Sequence, residues 1–187
     1  MLLLAKASLI FLLAVVPKDY FTNAELDLIR DAQELNLRVP AYFQLAERRL
    51  IFLGVMEKSE KEKEKERKER EKWEKEQKKG NKPAVLVDDL AYLDEFTPSE
   101  LLRGYIQALE EVMGNIDDVY SRRLDVRDAL EDLEKFTRET IPLLQKYMPR
   151  NATDRATLEE AIDKAKESQT AAKDALKIVP KTEKKRQ

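Results

Sequence analysis

Apolar residues recur at helical spacing along most of this chain. Leu28, Ile29, Ala32 and Leu35 form a first stripe, which predicts a helix over 23–37. Pro40 follows, and a residue before proline is pushed toward extended backbone, so a second helix is expected from Pro40 onward. It would carry Tyr42, Phe43, Leu45, Ala46, Leu50, Leu53 and Met56. A longer stripe begins after Thr97 with Leu102, Tyr105, Ile106, Leu109, Val112, Met113, Ile116, Val119 and Tyr120. It resumes at Val126, Leu130, Leu133, Thr137, Ile141, Leu144 and Met148. Between these halves, at 121–124, two arginines take interior-facing slots, so a kink or short break is expected. Pro142 should bend the last turns. Pro149 and Asn151 mark a stop and a new start. The last stripe, over 152–179, is rich in alanine: Leu158, Ala161, Ile162, Ala165, Ala172, Ala175, Leu176 and Val179. Small side chains permit close helix approach, so this helix should pack antiparallel on the second half of the one before it. No alternating strand pattern appears. The expected fold is all-α: an elongated antiparallel bundle of three to four main helices, one domain over 17–180.

Two of these helices share an entry. FTNAEL, 21–26, returns as FTPSEL, 96–101. Thr22 and Thr97 are suited to the N-cap. Glu25 and Glu100, three residues on, can reach back to the cap amide, and Phe21 and Phe96 can staple onto Leu26 and Leu101. Pro98 fits the first helical position, where a missing N–H costs nothing. An arginine pair follows each entry, Arg48-Arg49 and Arg122-Arg123, but one residue out of step. Recurrent capping chemistry explains the repeat more simply than duplication does.

The apolar stripe stops after Met56. Residues 57–82 are nearly all charged and form an inserted arm with a net charge of +3. Opposite charges three apart, such as Glu60 and Lys63, and four apart, such as Glu66 and Arg70, allow a helix that buries nothing. A solvated helix or a mobile loop is the plain expectation, and Trp73, the arm's one aromatic, is a candidate partner contact. Gly80 to Pro83 ends the arm. Leu86, Leu90 and Leu93 then mark a short helix or packed return segment. The tail, 181–187, is basic and expected to be disordered.

At the other end, residues 1–16 read MLLLAKASLIFLLAVV. A run of about ten residues after Lys6, apolar apart from Ser8, suits a secretory segment better than a spanning helix of about 20. A cleaved signal peptide is expected, with an uncleaved anchor or a buried first helix as alternatives. No small-x-small cleavage site follows the run.

Composition narrows the chemistry. The chain has no histidine and no cysteine among its 187 residues. That excludes imidazole and thiol catalysis, the usual zinc sites and histidine pH sensing. Residues 83–180 carry a net charge of −8, so nucleic acid is not an expected partner. A metal site would need oxygens alone. Glu111, Asn115 and Asp118 share one helical face, with Asp117 beside them, but an exposed acidic face explains that spacing. No catalytic residues, cofactor site or metal site are expected. The candidate contacts are Arg48, Arg49, Arg122, Arg123 and Arg127, with Tyr42 and Tyr120 near them in sequence. They would surround an anion or a partner carboxylate if the helices brought them together, or else pair internally with Asp117, Asp118, Asp125 and Asp128. The expected function is that of an exported, non-catalytic bundle binding another protein or itself. A membrane-surface scaffold held by residues 1–16, or an anion- or lipid-headgroup module, is the alternative.

Overall fold

The computed structural model describes residues 20–58 and 90–180, with positions 60, 63, 64, 67, 68, 71 and 75 between them. The apolar segment 1–16, Trp73, Leu86 and the tail 181–187 therefore lie outside the described residues. Among the described residues five helices have both ends defined: α1, Asn23–Asp31; α2, Leu35–Phe52; α3, Pro98–Ser121; α4, Arg127–Lys146; and α5, Ala152–Ile178. A 3-10 turn over Ala91–Glu95 precedes α3. Among the described residues there is no strand, and the all-α bundle is as the stripes require.

Both hexapeptides start helices. Thr22 Oγ1 accepts from the Glu25 N–H while the Glu25 carboxylate accepts from the Thr22 N–H, and Thr97 and Glu100 repeat that exchange. The boundaries after the first entry differ from expectation. α1 stops at Asp31, and α2 begins at Leu35, so Pro40 sits inside a helix and not at its start. Proline there removes one hydrogen bond, from its own nitrogen to the carbonyl of Asn36. The flanking residues explain why this is tolerated: Val39, Tyr42 and Phe43 are all buried, and their burial outweighs the local preference. Arg38 secures the α1–α2 corner by donating from Nε to the Ala32 carbonyl, 2.8 Å, and from Nη1 to Asn115 Oδ1, 3.0 Å.

The long third stripe breaks cleanly. α3 ends at Ser121, Arg123 takes a left-handed backbone at φ 62°, and α4 leaves in the opposite direction from Arg127. Two helices thus replace one rod. Their inner faces touch across the core, where the Tyr105 hydroxyl meets Thr140 Oγ1 at 2.9 Å. Thr140 donates its own proton to the Phe136 carbonyl and so accepts from Tyr105.

Side-chain pairs fix the register. Arg49 lies against Gly104, Tyr42 against Glu111 and Arg38 against Asn115, so α2 runs antiparallel to α3. Ser99 with Thr157, Arg103 with Glu160 and Met113 with Ser168 place α5 parallel to α3. Arg127 with Val179 and Glu134 with Lys173 place α5 antiparallel to α4. The stacked rings of Phe43 and Phe136, 4.3 Å apart, join α2 to α4. α5 accordingly covers both halves of the divided stripe, not only the second. Ala161 and Ala165 are fully buried on α5, where the absence of large side chains lets it settle closely on its neighbours. A smaller cluster of Leu90, Leu93 and Leu101, flanked by Ile51, Phe52, Tyr92 and Phe96, seals one end. Within the charged run the described positions are helical, and Lys63 pairs with Glu60 at 2.9 Å.

Candidate functional site

The arginine pairs are not brought together. Arg49 lies at the α2 C-terminal end beside Gly104, whereas Arg122 caps the far end of α3, about 27 Å along the helix at 1.5 Å per residue. Arg49 is fully buried. Its Nη1 and Nη2 each sit 2.8 Å from a Glu25 carboxylate oxygen, a two-pronged pair that holds α1 on α2. Nη1 also donates to the Leu45 carbonyl at 2.9 Å and Nη2 to the Tyr20 carbonyl at 2.6 Å. The Phe21 ring lies 4.9 Å from the guanidinium carbon. Only Nε lacks a partner.

Glu25 is the hub of this cluster. It caps α1, takes the Arg49 fork and accepts from the Tyr92 hydroxyl at 2.9 Å. Burial pushes its carboxyl up, but the Arg49 hydrogen bonds and charge, with Thr22 and Tyr92, outweigh that and hold it below its ordinary value. Burial and the Glu25 charge push the Tyr92 phenol up to about 12, against the hydrogen bond and charge of Arg48. Every strong donor on Arg49 except Nε is thus spent inside the protein, with no face left for an outside anion. The sequence signal was available: Gly104 interrupts an apolar helix face, and only a residue without Cβ leaves room for Arg49.

The other arginines do different work. Arg127 is mostly covered, donates to the Val179 carbonyl at 2.9 Å and pairs with Glu131, so it ties the end of α5 to the start of α4. Arg122 is exposed and pairs with Asp118 one turn back. Arg123 is exposed in the turn. The oxygen face on α3 is also engaged. Glu111 accepts from Tyr42, Asn115 accepts from Arg38, and Asp118 is held by Arg122. Among the described residues no acidic group of three or more gathers closely enough to hold a metal ion.

A site that the stripes do not reveal lies at the opposite end from Arg49. The last turns of α3, the first turns of α4 and the last turns of α5 surround an open groove of about 200 Å³. Met113, Ile116, Val126 and Leu130 form its floor and walls, and Ala171, Ala172 and Ala175 line the α5 side. Asp117 and Tyr120 stand at α3's edge and Ile178 at that of α5. Two side chains of its lining stay largely in water, Tyr120 at 54% exposed and Ile178 at 77%, and Leu124, in the turn after α3, is 59% exposed. The alanines create the void. Where α5 faces the middle of α3 they close the gap, but beyond Ser168 the chain turns from α3 into α4 and no described residue fills the space they leave. Periodicity marks a residue as apolar and inward, yet it cannot say whether the helices diverge there. Compared with protein-family models, curated proteins and solved structures, the chain matches none of them.

Proposed function

We propose that this chain is a non-catalytic, exported helical bundle that acts by contact with another protein or with itself. The observation that carries this reading is the end groove. Among the described residues an apolar hollow stays open between α3, α4 and α5, and two large side chains of its own lining, Tyr120 and Ile178, stand mostly in water. Such a patch is costly to leave bare and marks an interaction surface. The composition supports this: the chain has no histidine or cysteine, and the buried Glu25 carboxylate is tied to Arg49. Export rests on the apolar run of residues 1–16. Among the described residues no helix is long and apolar enough to cross a membrane.

The test is chemical crosslinking in intact cells with recovery of the full chain, paired with fractionation and N-terminal sequencing. Crosslinked protein and a mature start near Pro17 in the soluble exported fraction are expected. An intact Met1 in membranes points to the anchored scaffold, and uncrosslinked chain throughout overturns the contact reading.

A further inference from the structure

We propose that the occupant of the end groove is a second copy of this chain, packed about a two-fold axis. This rests on the protein-contact reading above and deepens it.

A two-fold interface must be self-complementary, because the same patch serves both sides. This patch is. It holds a hollow and knobs of matching chemistry on one face. The hollow, about 200 Å³, exceeds the roughly 150 Å³ that accommodates a benzene ring in an apolar cavity, so one aromatic or branched side chain fits. The knobs are Tyr120 and Ile178, both on the hollow's own lining and both more than half exposed, with Leu124, also more than half exposed, in the turn that follows α3. Met113, on the floor, is unbranched and polarisable, and adapts to an inserted ring.

The charges point the same way. Asp117 on the rim and Arg123 in the adjoining turn have no ion-pair partner among the described residues, whereas Arg122 pairs with Asp118 and Lys177 with Asp174. One unpaired charge of each sign suits a copy of the same surface, with Asp117 set against the partner's Arg123 and the reverse pair across the axis. An anionic membrane surface would meet Asp117 as well as Arg123. The chain's own tail is a poor filler: it leaves from this end after Pro180, and KTEKKRQ holds no apolar residue.

The experiment is sedimentation velocity on the full chain from about 1 µM to about 1 mM, the range in which weak and moderate association is read directly. The expected result is a rise from one chain mass to two. Ala171→Glu places a charge on an exposed groove position without removing any packing, and should raise the dimer Kd at least tenfold while melting is unchanged. Asp117→Arg and Arg123→Asp should each weaken the dimer, and the double exchange should recover most of the loss, since it restores both cross-axis pairs. Aspartate tolerates the left-handed backbone at 123 better than most residues do, so the fold is kept. A chain that stays single throughout overturns the proposal. So does association that none of these changes touches, which would place the contact elsewhere, or a double exchange no better than its parts. A chain that stays single yet crosslinks to a different protein removes the second copy and leaves the protein-contact reading standing. Failure of both experiments removes both.

Discussion

Replacing Gly104 by alanine should destabilise this protein, although the same change in most helix interiors is stabilising. Alanine gains about 1 kcal/mol over glycine in a helix. At Gly104, however, the added Cβ would stand 2.2 Å from Arg49 Nε and 2.7 Å from its Cδ. A flexible surface arginine would step aside. This one is fully buried, and its guanidinium is fixed by Glu25 on both Nη atoms and by two backbone carbonyls. Moving it opens a buried ion pair, at a cost of about 3–5 kcal/mol. Set against the helical gain, the net loss is about 2–4 kcal/mol. In a chain of this size that lowers Tm by about 4–16 °C. Gly114 supplies the control within the same helix. An added Cβ there meets nothing within 4 Å, so Gly114→Ala should stabilise by up to about 1 kcal/mol. Urea denaturation followed by circular dichroism reads both variants. In a background of Arg49→Leu with Glu25→Gln the Gly104→Ala penalty should largely vanish. If Gly104→Ala stabilises as Gly114→Ala does, or keeps its full penalty in that background, then Arg49 is not what requires the glycine.

Single changes to glutamine should separate the arginines: Arg49→Gln costs about 3–5 kcal/mol because it strands Glu25, while Arg122→Gln, which loses an exposed pair, stays within about 0.5 kcal/mol by the same urea assay. The Glu25 carboxyl is held below its ordinary 4.5, so its ionised form supports the fold fully above that pH and the support fades as pH falls through the lower folded value. The stability gap between the unchanged protein and Glu25→Gln, measured by thermal melts, should therefore narrow steadily below pH 4.5 and stay constant from there to neutrality. Arg123→Gly relieves a left-handed backbone and should raise stability by up to about 1 kcal/mol, while weakening self-association in sedimentation, so the two readouts move in opposite directions.

Local rules carried much of the fold. The two capping boxes were legible because cap, glutamate and staple lie within six residues and need no tertiary partner. The break at 121–124 was legible because Arg122 and Arg123 occupy slots that a continuous helix would bury. Pro40 misled for the complementary reason: its preference is local, and burial of Val39 and Tyr42 overrode it. The pairing of Arg49 with Glu25 lies further out of reach. The sequence offers Glu25 as a capping residue and Arg49 as a candidate anion or partner contact, and only the crossing of α1, α2 and α3 makes them a buried pair. The groove lies further still, because a void has no residue of its own. Ala161 and Ala175 look alike in the sequence, yet one is sealed and the other lines an open hollow.

The order in which the antiparallel partners leave the ribosome has a cost of its own. α2 is made first, but the helix it pairs with ends at Ser121, and the connection over 53–97 must be translated in between. At about 5–20 residues per second, α2 waits several seconds with Leu45, Leu50 and Val39 uncovered. Nascent chains stalled before α3 emerges should be cut by protease within α2, and those stalled after α3 has cleared should resist. If the chain is exported as proposed, that interval is also when a translocation factor or holding chaperone would find it most accessible.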